Sequence, residues 1–169
     1  MLQREVSLYT SGIKANLPDM KWVGQENLHI TVKFLGEVKA SSISKISSVA
    51  LKASRHLPAF NICLSNLGAF PNASRAKVLW WGLGEGATNV SSLFQTIDSA
   101  LSLQGFSTDK KRFHPHITLA RLRIPSRLSI ESFNSPSGLS FSCLKFQLYQ
   151  STLTPQGPIY NVIEEFKLA

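Results

Sequence analysis

The chain has little of what several protein classes need. It has only two cysteines in 169 residues, Cys63 and Cys143. Both sit in apolar, strand-like stretches, where cysteine usually serves as a small buried hydrophobe, so a disulfide framework is not expected and neither thiol is assigned chemistry. Long apolar runs are missing too. Val78–Trp81 is typical of what is present, far short of the roughly 20 residues that cross a bilayer, and the first residues lack the layout of a secretory signal, so a cytoplasmic protein is expected. There is no G-x-x-x-x-G-K-[ST] and no G-x-S-x-G, which removes the phosphate-loop and serine-hydrolase readings. Gly82-Leu83-Gly84-Glu85-Gly86 lacks the dinucleotide-loop spacing and reads as a strand-to-helix turn. Acidic residues are scarce: 10 Asp and Glu stand against 18 Lys and Arg, a formal charge of +8. Such a balance favours polyanions by phosphate attraction and counterion release. The basic residues thicken at Lys110-Lys111-Arg112 and at Arg121, Arg123 and Arg127, although a charge run by itself reads as a solvated surface.

With 43% hydrophobic residues and no low-complexity segment, residues 1–169 are expected to fold as a single domain. Leu2, Val6, Tyr9, Ile13 and Leu17 recur at helical spacing up to Pro18. Residues 28–35 alternate instead, which predicts a strand with Ile30, Val32 and Phe34 on the core face and His29, Thr31 and Lys33 on a face open to a ligand. Helices are predicted over 41–57 and 89–103, and strands over 60–67, 77–83 and 115–122. A turn is predicted over 68–72, a short helical stretch near 129–133, and a hairpin from 139–153 to 159–167 across Thr154-Pro155-Gln156-Gly157-Pro158. Interleaved helices with short strand connections predict an α+β class with largely antiparallel sheets.

The informative feature is a repeat. Leu28-His29-Ile30-Thr31-Val32 and Pro115-His116-Ile117-Thr118-Leu119 are near copies, 87 residues apart. They predict two pseudo-symmetric lobes. On a strand, residues two apart share a face, so each copy offers an imidazole and a hydroxyl together while the apolar residues between them anchor the core. A neutral imidazole can take a proton from water while a protonated one gives a proton to a leaving oxygen, and histidine titrates near enough to neutrality for both forms to coexist. Threonine hydroxyls can hold non-bridging phosphate oxygens between the two rings. This scheme attacks a phosphodiester without a metal. A zinc site from His114-x-His116 with His29 and His56 is the rival, and no carboxylate or cysteine at ligand spacing accompanies it.

The sequence resembles the LigT-like two-histidine phosphoesterases, specifically the bacterial RNA 2′,3′-cyclic phosphodiesterases also called 2′-5′ RNA ligases. The resemblance runs through Trp22-Val23, Glu26 to Gly36, Gly68-Ala69-Phe70-Pro71, Val78-Leu79-Trp80, His114 to Arg121, and Leu148 to Tyr160. It implies outer helices on the two lobes, an active-site cleft between the sheets, no cofactor, and hydrolysis of an RNA or nucleotide 2′,3′-cyclic phosphate to a 2′-phosphomonoester, with 2′-5′ ligation as the reverse reaction. His29 is then the proton donor to the leaving 3′ oxygen, His116 the base for water, and Thr31 and Thr118 the phosphate ligands. Arg121, five residues after His116, would stabilise charge on the phosphate. Phe34, five residues after His29, is a candidate for stacking on a base, whereas alternation puts it in the core. The alternative is a module that binds a nucleotide or RNA end in the same cleft without turnover. One departure stands at the front: members of this family open on a strand before the first helix, and here the helical period begins at Leu2. Either the chain is a short form or a neighbouring strand keeps an open edge, a route to self-association. A monomer is expected.

Overall fold

The computed structural model describes residues 2–133, 138–155 and 157–169. Among the described residues, three α-helices, α1 (Leu2–Asn16), α2 (Ile43–Arg55) and α3 (Ala87–Ser102), are interleaved with seven strands. These are β1 (Lys21–Trp22), β2 (Phe60–Phe70), β3 (Ala76–Leu83), β4 (His116–Ser126), β5 (Ser140–Cys143), β6 (Lys145–Thr154) and β7 (Gly157–Lys167). Five strands form one sheet in the order β1-β4-β3-β2-β5, and β6 and β7 form a hairpin. The pairings β1–β4, β2–β3, β3–β4 and β6–β7 are all antiparallel, as the short connections predict. The chain divides into two compact units.

The first unit, residues 1–31, 62–85 and 115–141, is built on the larger sheet. Its core gathers Leu64, Ala69, Leu79, Trp81, Ile117, Leu119 and Ala120 from the strands with Val6 and Ile13 from α1. The inward stripe of α1 is Val6, Thr10, Ile13, with Leu17 following, at spacings of four, three and four. Tyr9, expected on that stripe, is 45% exposed. Thr10 takes its place because its hydroxyl donates to the Val6 and Ser7 carbonyls one turn back, so no polar atom is left unpaired.

The second unit comprises residues 32–61, 86–114 and 142–169. Ile46 and Ala53 of α2 meet Leu93, Ile97 and Leu101 of α3, joined by Phe146 and Leu148 of the hairpin. Gly86, at φ 80°, makes the turn from β3 into α3, confirming the glycine-rich segment as a strand-to-helix connection. Within the hairpin turn, Gln156 lies outside the described residues.

Lys33 belongs to this unit, where it lines a cavity while its charge is tied up by two carboxylates. Its side chain is 5% exposed, and its ammonium donates to Asp98 at 2.5 Å and Asp109 at 3.2 Å. Burial pulls its pKa down, but the two carboxylates outweigh it and hold the ammonium above its ordinary range. A raised lysine pKa adds stability that is present at neutral pH and is lost as pH climbs through the folded-state value. Lys33→Met, which leaves Asp98 and Asp109 without their cation, is expected to cost about 2–4 kcal/mol in urea unfolding at pH 7. An unchanged midpoint would show the triad to be a surface ornament.

Candidate active site

The first motif does not form the strand that alternation predicts. Of residues 28–35, only Ile30 pairs, in a single antiparallel bridge to Ile117. Leu28 and Ile30 pack into the core of the first unit, whereas Val32 and Leu35 pack into that of the second. The alternation therefore serves two cores, with the chain passing from one to the other after Thr31. Meanwhile β1 occupies β4 at Arg121 and Ala120, and the Val23 amide donates to the Leu119 carbonyl, so little of that edge remains.

That one bridge fixes the site. In an antiparallel pair, residues either side of a bridge face each other in reverse order, so His29 lies across from Thr118 and Thr31 across from His116. Ile30 and Ile117 point to the core, Ile117 being 1% exposed. The two histidines and two threonines therefore share the opposite face, each imidazole beside the other motif's hydroxyl. His29 and His116 are diagonal neighbours, a relation that separates side chains by roughly 7–8 Å and leaves room for a phosphoryl group.

The rings are held differently. His29 is exposed, and its Nδ1–H donates to the Asn27 carbonyl at 2.7 Å, because a carbonyl can only accept. This fixes the tautomer and leaves Nε2 to carry the exchangeable proton, 3.1 Å from the Thr31 hydroxyl. A substrate oxygen would take over that bond. His116 is half-buried and set by aromatic rings: Phe70 meets it edge-on at 5.1 Å and Trp80 lies at 5.8 Å. Phe70 and Trp80 are themselves 5.0 Å apart. Trp80 fits beside His116 because its cross-strand partner is Gly68, where a β-carbon would fall inside the indole ring. The sequence alone assigns Gly68, Phe70 and Trp80 no role, since their apolar pattern is indistinguishable from core.

Arg121 reaches the same face through a β-bulge. Strict alternation would send a residue five after His116 to the opposite side. The register instead moves from Trp80↔Thr118 to Leu79↔Ala120, placing an extra residue on β4. Leu119 and Ala120 are consequently both buried, at 1% and 0%, and Arg121, paired with Val78, returns to the face of Trp80, Thr118 and His116. Phe34 is not in the core as alternation predicts. It belongs to the second unit, is 77% exposed, and borders a cavity of about 340 Å³ with Lys39, Ser42, Ser107 and Thr108. His114 and His56 also fall in the second unit.

Cys63 and Cys143 are half-buried rather than fully buried. The Cys63 thiol donates to Glu85, whose carboxylate pushes its pKa up, and burial does the same for Cys143. Both stay in the unreactive thiol form. Lys110, Lys111 and Arg112 are exposed, as a solvated loop requires, and among the described residues no helix is long and apolar enough to cross a membrane.

A family model described as LigT-like phosphoesterase matches residues 2–80 and 83–160. A curated RNA 2′,3′-cyclic phosphodiesterase of Aeropyrum pernix is 37% identical over 155 residues, 89% of this chain and 87% of that protein. The protein of the same name from Methanocaldococcus jannaschii is 34% identical over 170 residues, 98% and 93% of the two chains. Among solved structures, one from Thermus thermophilus has a TM-score of 0.79 at 26% identity, over 98% of this chain and 89% of that one. Escherichia coli LigT complexed with NADP+ has a TM-score of 0.80 at 25% identity, over 98% and 91%. The match spans both copies of the histidine–threonine motif and the aromatic strands that seat the second, and the chain belongs to the LigT-like phosphoesterases.

Proposed function

We propose that this protein opens the 2′,3′-cyclic phosphate at an RNA end to a 2′-phosphomonoester, using His29 as acid and His116 as base. The observation that carries this is the Ile30–Ile117 bridge, which sets two imidazoles diagonally on one face with a hydroxyl beside each. Water attacks phosphorus in line with the 3′ oxygen. His116 takes the proton of the water as the new P–O bond forms, and His29 gives its Nε2 proton to O3′ as the old bond breaks. Thr31 and Thr118 hold the non-bridging oxygens, and Arg121 offsets the charge that builds on them. Afterwards His29 regains a proton from solvent, to which it is exposed, and His116 releases to solvent the one it took, which restores both groups. Each step uses a group the chain itself supplies, so the reaction needs no metal.

Phe34, standing in solvent at the rim of a cavity, is a platform for a base, and the hydroxyls of Ser42, Ser107 and Thr108 beside it suit a nucleoside. The relatives' shared name and the basic balance of this chain support RNA as substrate class. The NADP+ complex of the Escherichia coli protein supports a nucleotide-accepting site. In this reading the two units act as a single bilobal domain in a cytoplasmic monomer, and 2′-5′ ligation is the reverse of the same chemistry. The test is incubation with a 2′,3′-cyclic mononucleotide and a short RNA carrying the same end, in excess chelator, followed by ³¹P NMR. A 2′-phosphate is expected. A 3′-phosphate would require His29 and His116 to exchange roles, and loss of activity restored by zinc would replace this mechanism with a metal-assisted one.

A further inference from the structure

The pairing of β1 with β4 sets two cations side by side. Lys21 is the direct cross-strand partner of Arg121. Direct partners share a face, so Lys21 joins the face that holds His116 and Thr118, and both cations are exposed. Like charges directly opposite on a sheet repel. Among the described residues, neither Lys21 nor Arg121 forms an ion pair with a carboxylate that would relieve the repulsion. Two cations side by side, without a carboxylate partner and on the face of the histidine–threonine motif, suit an anionic ligand.

We infer that Lys21 is a binding residue for a second phosphate, the internucleotide phosphate that precedes the reacting end, and that it makes this site favour oligoribonucleotides over mononucleotides. The inference rests on the proposed reading of His29, His116 and Arg121. Thr118 and Arg121 are three residues apart on a bulged strand, so the backbone of the cation pair begins roughly 7–10 Å beyond that of Thr118, a gap the long Arg121 side chain can reach back across. That is the length of one nucleotide of backbone. Arg121, with its planar fork, serves the reacting phosphate, and Lys21, a mobile point charge on a neighbouring strand, serves the next one along. Contact with a phosphate carries no base preference, so the effect is one of chain length and salt rather than sequence.

The experiment compares two substrates that differ only in that phosphate: a 2′,3′-cyclic mononucleotide and a trinucleotide ending in the same cyclic phosphate. Lys21→Gln is expected to raise KM for the trinucleotide about fivefold, the upper end of what one exposed ion pair contributes, and to leave kcat and the mononucleotide KM within about twofold. The slope of log KM against log salt for the trinucleotide should fall by about 0.7, the share of one single-strand phosphate. Lys21→Arg should restore both. Equal losses on the two substrates, or no loss on either, would overturn the inference. The two failures are separable, because an inactive wild-type protein would sink the proposed reaction itself, whereas an active enzyme indifferent to Lys21 would sink only the second phosphate site.

Discussion

Replacing His29 or His116 by alanine is expected to lower the rate of cyclic-phosphate hydrolysis by about 10²–10⁴-fold each, the usual worth of a positioned acid or base. The double variant should lose less than the product of the two. In-line displacement needs proton removal on one side of phosphorus and proton delivery on the other in the same step, so once either group is gone the second has little left to assist. Folding should survive. His29 is exposed and bonded to its own neighbourhood through Asn27 and Thr31, so its removal uncovers no core. His116 gives up its packing on Phe70 and Trp80, a loss of about 1 kcal/mol that leaves the sheet register intact. Circular dichroism with a matched melting curve separates lost chemistry from lost fold.

Arg121→Ala is expected to cost about 10²–10³-fold in kcat, the scale seen when one preorganised donor to a developing oxyanion is removed. Arg121→Lys should recover only part of this, because a lysine keeps the charge but not the two parallel N–H donors that grip a pair of phosphate oxygens. The loss should fall on kcat with mononucleotide and trinucleotide alike, since the charge being stabilised grows only in the transition state. This separates Arg121 from its neighbour Lys21, whose loss should appear in KM and only with the longer substrate. Wild-type turnover in Arg121→Ala would show that the bulge on β4 merely turns a surface charge outward.

The helices, most of the strands and the paired motif are legible in the sequence because each depends on a local period. Helices expected over 2–17, 41–57 and 89–103 are found at Leu2–Asn16, Ile43–Arg55 and Ala87–Ser102, and β3 and β4 lie where alternation puts them. What is not legible depends on partners elsewhere in the chain. The alternation of residues 28–35 looks like one strand, yet its apolar residues are divided between two cores and one residue finds a ladder partner. Residues 139–153 look like one strand because the alternation barely falters. The chain breaks at Leu144, and β5 joins the large sheet while β6 pairs with β7. The strand β1 is two residues long, too short to show a period, and Lys21 is hidden with it. The run Gly68-Ala69-Phe70, expected as a turn, instead ends β2, because Trp80 covers the glycine across the ladder. At Arg121 the odd spacing from His116 conflicts with alternation, and a site residue at odd spacing on a strand is the signal that a bulge is present.

The central claim is that two imidazoles on one sheet face, one protonated and one neutral, carry the reaction together. The pH dependence of kcat/KM for a 2′,3′-cyclic mononucleotide tests this most directly, measured on the wild type and on His29→Ala and His116→Ala. The wild type should show a bell, His29→Ala should lose the alkaline limb where the acid deprotonates, and His116→Ala should lose the acid limb where the base is protonated. A bell that persists unchanged in either folded single variant would contradict the paired-histidine account.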